Sequence, residues 1–459
     1  MLDPSVAREV LAKALSMGGT FSEIFLEDNL SNTLFMRNEK VENISSGRYH
    51  GAGVRVFHGL RCVYAYSNDT SRHGLLDCAE KVAAAIRATP ETMDIVIAPH
   101  NADTIHPIEH YPGETQHKQR LAIMREADLA ARAESAEIVQ AQTRYMDKDQ
   151  RVWIANSEGL FVQDRRVYSR LFVLAVASDG KENQTGYRGP GAMRGIELFE
   201  TIDPAENGRK AAKSAITMLH AEPCSAGVMP VIIGKGFGGV LFHEACGHSL
   251  EATSVASGQS EFAGKLGQKI AADCVTAIDD GTEPNSWGSL NVDDEGAKTQ
   301  KNVLIKEGIL TSYLIDKLNG LRMGMPSTGS GRRQGYQYAP TSRMTNTYIA
   351  AGHDEEEEMI SSMGDGLYAM VMGGGSVNPS TGIFNFAVNE AYLVKNGAID
   401  KPVRGAALIG RGGEILPNID RVGKVVESGQ GMCGSISGSV PTNCGQPSIR
   451  IKNMTVGGR

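Results

Sequence analysis

Gly234 to Ala252 reads GKGFGGVLFHEACGHSLEA, and the rest of the chain is understood outward from this stretch. An apolar, β-branched run, Val228 to Ile233 with Pro230 inside it, leads into a cluster of glycines. A helix-forming segment carrying His243, Glu244 and His248 follows. Two imidazoles and a carboxylate within six positions are costly on a partly apolar helix unless something binds them. A divalent metal with a water-activating glutamate meets that need.

Three readings compete for the stretch. In the first, H-E-x-x-x-H is a relative of the zinc peptidase motif H-E-x-x-H, whose two histidines share one helical face. Here the spacing is i and i+5, which an ideal α-helix places about 140° apart. Gly247, directly before the second histidine, lets the helix widen into a π-bulge that brings the rings together. In the second, Gly234, Gly236 and Gly239 match the G-x-G-x-x-G of a nucleotide site between strand and helix. That match fails downstream: a second apolar strand ending in an acid is required, and Thr253 to Lys265 (TSVASGQSEFAGK) is a polar loop. In the third, the histidines only cap or pack.

Bulk properties narrow the class. A chain of 459 residues has ample core for two or three domains. A net charge of -7 argues against a general nucleic-acid surface, so no nucleic-acid partner is expected. Met1 to Gly18 has Asp3, Arg8, Glu9 and Lys13 among its apolar positions and reads as neither signal peptide nor anchor. No run of about 18 apolar residues occurs, so no membrane partner is expected. Seven cysteines at scattered spacings read as reduced thiols of a cytoplasmic protein.

Along the chain the pattern is α+β. Asp3-Pro4 starts a helix, Phe21 to Glu27 and Thr33 to Arg37 read as strands, and Val54 to Tyr66 as a hairpin. Ser71 caps a helix, and Gln116 to Ser135 is amphipathic. From Ile138 to Phe199 a period of two predicts an antiparallel meander, with turns at Asp147-Lys148, Ser157 to Gly159 and Ser178 to Gly180. Gly186 to Gly195 reads as a glycine loop, and Pro204 to His220 as a helix ended by Pro223. The division falls there. Residues 1–222 form an N-terminal domain of mixed helices and antiparallel strands. Residues 223–459 form a C-terminal domain of curved or barrel-like antiparallel sheet that carries the metal-binding helix. Within it, Asp293, Asp294 and Glu295 lack the alternation of a calcium loop. Asp354 to Glu358 reads as the acid-rich first turn of a helix. Thr328 to Tyr338 (TGSGRRQGYQY) reads as a binding loop for a peptide carboxylate or backbone.

A thiolate is a good third ligand for a borderline-soft ion, which gives His2Cys with an open position. Cys433 and Cys444 compete for the role. Glycines on both sides of Cys433, Gly431 and Gly434, favour it, whereas Cys444 has one such neighbour.

Three segments together resemble the TldD/PmbA (TldE) family of metallopeptidases. They are GFGGVLFHEACGHSLEA at 236 to 252, GGGSVNPSTGIFNF at 373 to 386 and GMCGSISGSVPTNCGQPSIRIKNMTVGG at 431 to 458. The resemblance runs essentially end to end. It implies a two-domain TldD-type catalytic subunit holding Zn2+ through His243, His248 and the cysteine of G-x-C-G, here Cys433, with Glu244 as general base. It further implies short, unfolded or leader-type peptide substrates and a dimer, either with a second copy or with a motif-less PmbA/TldE-type subunit. The rival class is a non-catalytic scaffold or regulatory subunit with a structural or vacant site. A structural zinc site normally shows four protein ligands, and three good candidates occur here.

Overall fold

Asp3 accepts from the backbone N–H groups of Ser5 and Val6, and Pro4 supplies a pre-set first helical φ, so the chain begins with a helix, Pro4–Leu15. The computed structural model describes residues 1–86, 88, 89, 94–378 and 381–458. Pro379 and Ser380 of the 373–386 segment therefore lie outside the described residues.

Long strands follow. Phe21–Arg37 pairs with Lys40–His58 on one side and Ile138–Asn156 on the other, and Ile138–Asn156 pairs in turn with Phe161–Ser178. Together with Arg61–Ser67 and three short pieces they make an eight-stranded, mostly antiparallel sheet. The helices Pro4–Leu15 and Arg72–Ala84 cover one end of it, and His117–Ala133 and Pro204–Leu219 the other.

Several sequence expectations change here. Phe21–Arg37 is one strand rather than two. No turn forms at Asp147-Lys148, because the buried Asp147 is met by Arg120 at 2.6 Å and Asn32 at 2.6 Å, so a charged residue is tolerated within the strand. The glycine stretch 186–195 is partly strand, with Asn183–Arg188 and Gly191–Ala192 both laid on Phe161–Ser178.

After residue 222 the strands Gly227–Ile233, Ile449–Gly457, Ala407–Arg411, Ile383–Lys395 and Gly366–Asn378 pair in turn and then back on the first, closing a five-stranded barrel. Pro230 sits at the register shift between Met229 and Val231, where its missing N–H costs no ladder bond. A six-stranded sheet stands beside the barrel and ends in the hairpin Glu427–Ser435 and Gly438–Gln446. Glu355 precedes the helix Glu356–Ser361, whose first turn holds three glutamates, as the acid run predicts. The α+β class and the barrel-like second half are as the sequence indicates. No helix among the described residues is long and apolar enough to cross a membrane.

The first sheet meets the second half through buried charge. Arg55 pairs with Glu23 at 2.5 Å and Glu295 at 2.8 Å, Arg333 with Glu23 at 2.6 Å, and Arg166 with Asp294 at 2.6 Å. The acids at 293–295 are met by arginines and by backbone N–H groups. The two arginines of TGSGRRQGYQY are buried, with Arg333 taken by Glu23 and Arg332 donating to the Met344 carbonyl at 2.5 Å. That loop joins the two halves, which leaves neither guanidinium exposed to a peptide carboxylate.

Candidate metal centre

The motif begins where the barrel strand Gly227–Ile233 ends. Gly236 has a φ of +77°, a conformation glycine adopts without strain, and Gly239 lies so close to Gly445 that a Cβ would come within 2.4 Å of its backbone oxygen. The glycines therefore form a tight turn against the C-terminal hairpin. This explains the G-x-G-x-x-G pattern without a nucleotide.

A single α-turn, Val240–Phe242, buries its three apolar side chains in the barrel core, and His243–Gly247 then winds as a π-helical turn. The His248 N–H donates to the His243 carbonyl, an i to i+5 bond, and the widened turn sets the two imidazole rings 5.1 Å apart at 82°. The bulge expected from the spacing is present, but Gly247 serves it differently. Its φ of -54° is ordinary helical backbone. What glycine supplies there is room, since a Cβ would approach the Met344 sulfur to 2.3 Å.

Cys433 arrives from Glu427–Ser435, an edge strand 190 residues away in sequence. Its Sγ lies 3.3 Å from His243 Nε2 and 3.3 Å from His248 Nε2. The three donor atoms fall within 4.8 Å of one another, and His243 and Cys433 are buried. A tetrahedral ion with bonds of about 2.0–2.3 Å separates its ligands by about 3.3–3.6 Å. The donor chemistry and the two sulfur–nitrogen separations suit such an ion. Among the described residues this is the one cluster of three such ligands.

Electrostatics agree with a thiolate between two rings. Burial alone pushes the Cys433 thiol up, but His243 and His248 outweigh it and bring it down to about 3. His248, opposed by burial, is raised to about 10 by Glu251 and Cys433, and His243 is likewise raised by the two nearby cysteines. Glu244 is partly exposed beside the rings, its Oε2 3.7 Å from His248 Nε2. Cys444 lies in the barrel-side core and bears on the His243 ring, but it is outside the three-ligand cluster. Cys246 is buried, with its sulfur toward Gly412.

Glu251 was not singled out from the sequence. Its Oε2 lies 3.1 Å from His248 Nδ1, which fixes that ring and turns Nε2 toward Cys433. The available signal was its position three residues after His248, one turn along the same face.

The whole chain has recognisable relatives. Residues 226–458 match the PmbA/TldA metallopeptidase C-terminal domain, 110–219 the central domain and 22–86 domain 1. A metalloprotease TldD homolog of Haemophilus influenzae is 36% identical, covering 90% of this chain and 89% of that one. A metalloprotease of Methanothermobacter thermautotrophicus is 32% identical, covering 95% of each. In fold, the chain is similar to a putative modulator of a DNA gyrase from Thermotoga maritima (TM-score 0.80, 20% identity, 99% of each chain). It is also similar to TldE from Thermococcus kodakarensis (TM-score 0.74, 19% identity, 98% of this chain and 99% of that one).

Proposed function

Because the chain belongs to the PmbA/TldD metallopeptidase family, we propose that it is a zinc-dependent peptidase acting on short or unfolded peptides, with His243, His248 and Cys433 as ligands and Glu244 as general base. One observation carries the reading. Two imidazoles and a thiolate, brought from segments 185 or more residues apart, meet at 3.3 Å with a glutamate alongside. When bound, zinc supplies a Lewis acid and lowers the pKa of a coordinated water toward about 7. Glu244 takes a proton from the attacking water and returns it to the leaving amine. Cys433, with His243 and His248, would hold the ion and contribute negative charge to it. Glu251 holds His248 in the tautomer that offers Nε2.

In this reading residues 223–459 carry the chemistry and residues 1–222 form the second unit, a division supported by all four site residues falling after 223. The protein acts as a dimer, with a copy of itself or with a motif-less TldE-type subunit. The fold it shares with TldE of Thermococcus kodakarensis supports that pairing. Seven unpaired cysteines support a reducing, cytoplasmic setting.

The test measures zinc content of purified protein alongside cleavage of an unfolded peptide, with and without chelator, for the parent chain, Cys433→Ser and Cys444→Ser. Loss of metal and activity with Cys433→Ser alone is expected. Full activity in chelator sinks the metal reading, and loss with Cys444→Ser alone reassigns the third ligand.

A further inference from the structure

The strand that carries Cys433 is poorly suited to holding a sulfur in place. It is an edge strand, glycine-rich from 429 to 438, and a Cβ on Gly434 would meet nothing within 4 Å. Glycine backbone of this kind has much freedom to lose. Three side chains from outside the hairpin donate to carbonyls of this strand. Arg170 donates to the Gln430 carbonyl at 2.6 Å and Trp287 to the Gly431 carbonyl at 2.8 Å. The third, Arg343, acts at Cys433 itself.

Arg343 is fully buried, and its backbone N–H is anchored on the Ser330 carbonyl at 2.9 Å. One arm of the guanidinium, Nη2, donates to the Cys433 carbonyl. The other, Nη1, donates to Ser437 Oγ at 3.0 Å and the Gly438 carbonyl at 2.8 Å, so the fork spans the hairpin turn. On its other side Nε faces Glu251 Oε1 at 3.8 Å, and neither atom has a hydrogen-bond partner. Glu251 holds His248 through its second oxygen. A single planar cation thus touches the hairpin bearing the thiolate and the carboxylate orienting an imidazole.

We propose that Arg343 is a positioning residue that sets the separation of the Cys433 sulfur from the His248 ring, and with it the metal affinity of the centre. This rests on the metal reading above. Lysine keeps the charge but is a point donor on a flexible stem, unable to grip the Cys433 carbonyl and the turn together while facing Glu251.

The test is Co2+ titration of the metal-free full chain, read by the thiolate-to-cobalt absorption band, together with zinc affinity by chelator competition and melting temperature. Arg343→Lys is expected to fold, to weaken zinc binding about 10–100-fold, as outer-shell changes do, and to weaken or shift the thiolate band. A merely structural arginine would lower the melting temperature and leave the band and affinity of the folded protein unchanged, and that outcome overturns the proposal. Should Arg343→Lys not fold, Ser437→Ala decides, since it removes one acceptor of the fork. An affinity loss of about 2–10-fold supports the proposal, and parent-like affinity overturns it. If the parent chain shows no thiolate band with Co2+, the metal reading itself falls. If the parent shows it and both variants match the parent, only this inference falls.

Discussion

Two buried polar clusters in this protein have opposite character. Between the first sheet and the segment 292–333, Glu23, Asp164, Asp294 and Glu295 are interleaved with Arg55, Arg166 and Arg333, and every carboxylate touches a guanidinium. Asp294 stays below the usual carboxylate range because Arg166 and Arg333 overcome its burial. At the metal centre the donors converge instead on one another, two rings and one sulfur, and His243 Nδ1 is left buried without a hydrogen-bond partner. The charge network sets every one of these carboxylates against a guanidinium, with Arg55 Nε and Arg333 Nε its unpartnered buried atoms, and joins two parts of the fold. A convergent set of donors is completed by something from outside.

The sharpest way to break this comparison is Glu244→Gln. It keeps size and one hydrogen bond but accepts no proton, so peptide turnover should fall about 10²–10⁴-fold while zinc stoichiometry and melting temperature hold. Near-normal cleavage by a stable, zinc-loaded variant removes Glu244 from the mechanism. If metal content falls with activity, Glu244 is a ligand or a support of the helix.

Arg55→Leu tests the other cluster. It strands Glu295 with a buried charge and leaves Glu23 to Arg333 alone, and denaturant unfolding should register a loss of about 3–5 kcal/mol. Zinc affinity of the folded variant should match the parent. A centre that loses its metal along with the network would show that the two clusters are one functional unit.

Acid–base behaviour sharpens the contrast further. In the metal-free protein the cluster is an imidazolium–thiolate group. Cys433, depressed to about 3, contributes stability that is full above its unfolded pKa near 9 and is lost as pH falls through about 3. His248, raised to about 10, contributes stability that is full below its unfolded pKa near 6.5 and is lost as pH rises through about 10. On the zinc reading, the ion would therefore displace imidazole protons at pH 7. Its affinity should rise about 10–100-fold per pH unit between 6 and 8, and calorimetry in buffers of differing ionisation heat should report one to two protons released. Zinc uptake with no proton release contradicts the arrangement of charges.

The smallest effect belongs to Gly247→Ala. The added methyl meets the Met344 sulfur, a side-chain atom able to shift, so a stability loss of about 1–3 kcal/mol is expected with the π-turn retained. Loss of metal with unchanged stability would mean that glycine is required for the turn and not for the space.

What the sequence determined by itself lies within short reach along the chain. Asp3, Ser71 and Asp203 cap their own helices through N–H groups two or three residues on, and such signals need no partner from elsewhere. The i and i+5 spacing of His243 and His248 pointed to a π-bulge as the way to bring the two rings together, because helical geometry ties spacing to direction. The glycines beside Cys433 marked it over Cys444, and the three quoted segments carried the family.

Tertiary structure decided the rest. The strand runs through Asp147 and Lys148 because Arg120 and Asn32 meet the carboxylate from other elements. Arg333 is buried rather than displayed because Glu23, 310 residues away, waits across the junction, and Arg332 because the Met344 carbonyl accepts from it. Glu251 and Arg343 acquired roles only when barrel closure and hairpin register brought residues 243–251, 343 and 433 together. Backbone preferences act over a few residues. Pairing across hundreds depends on sheet register and on burial, which forces each desolvated charge to find its partner wherever the fold has placed it.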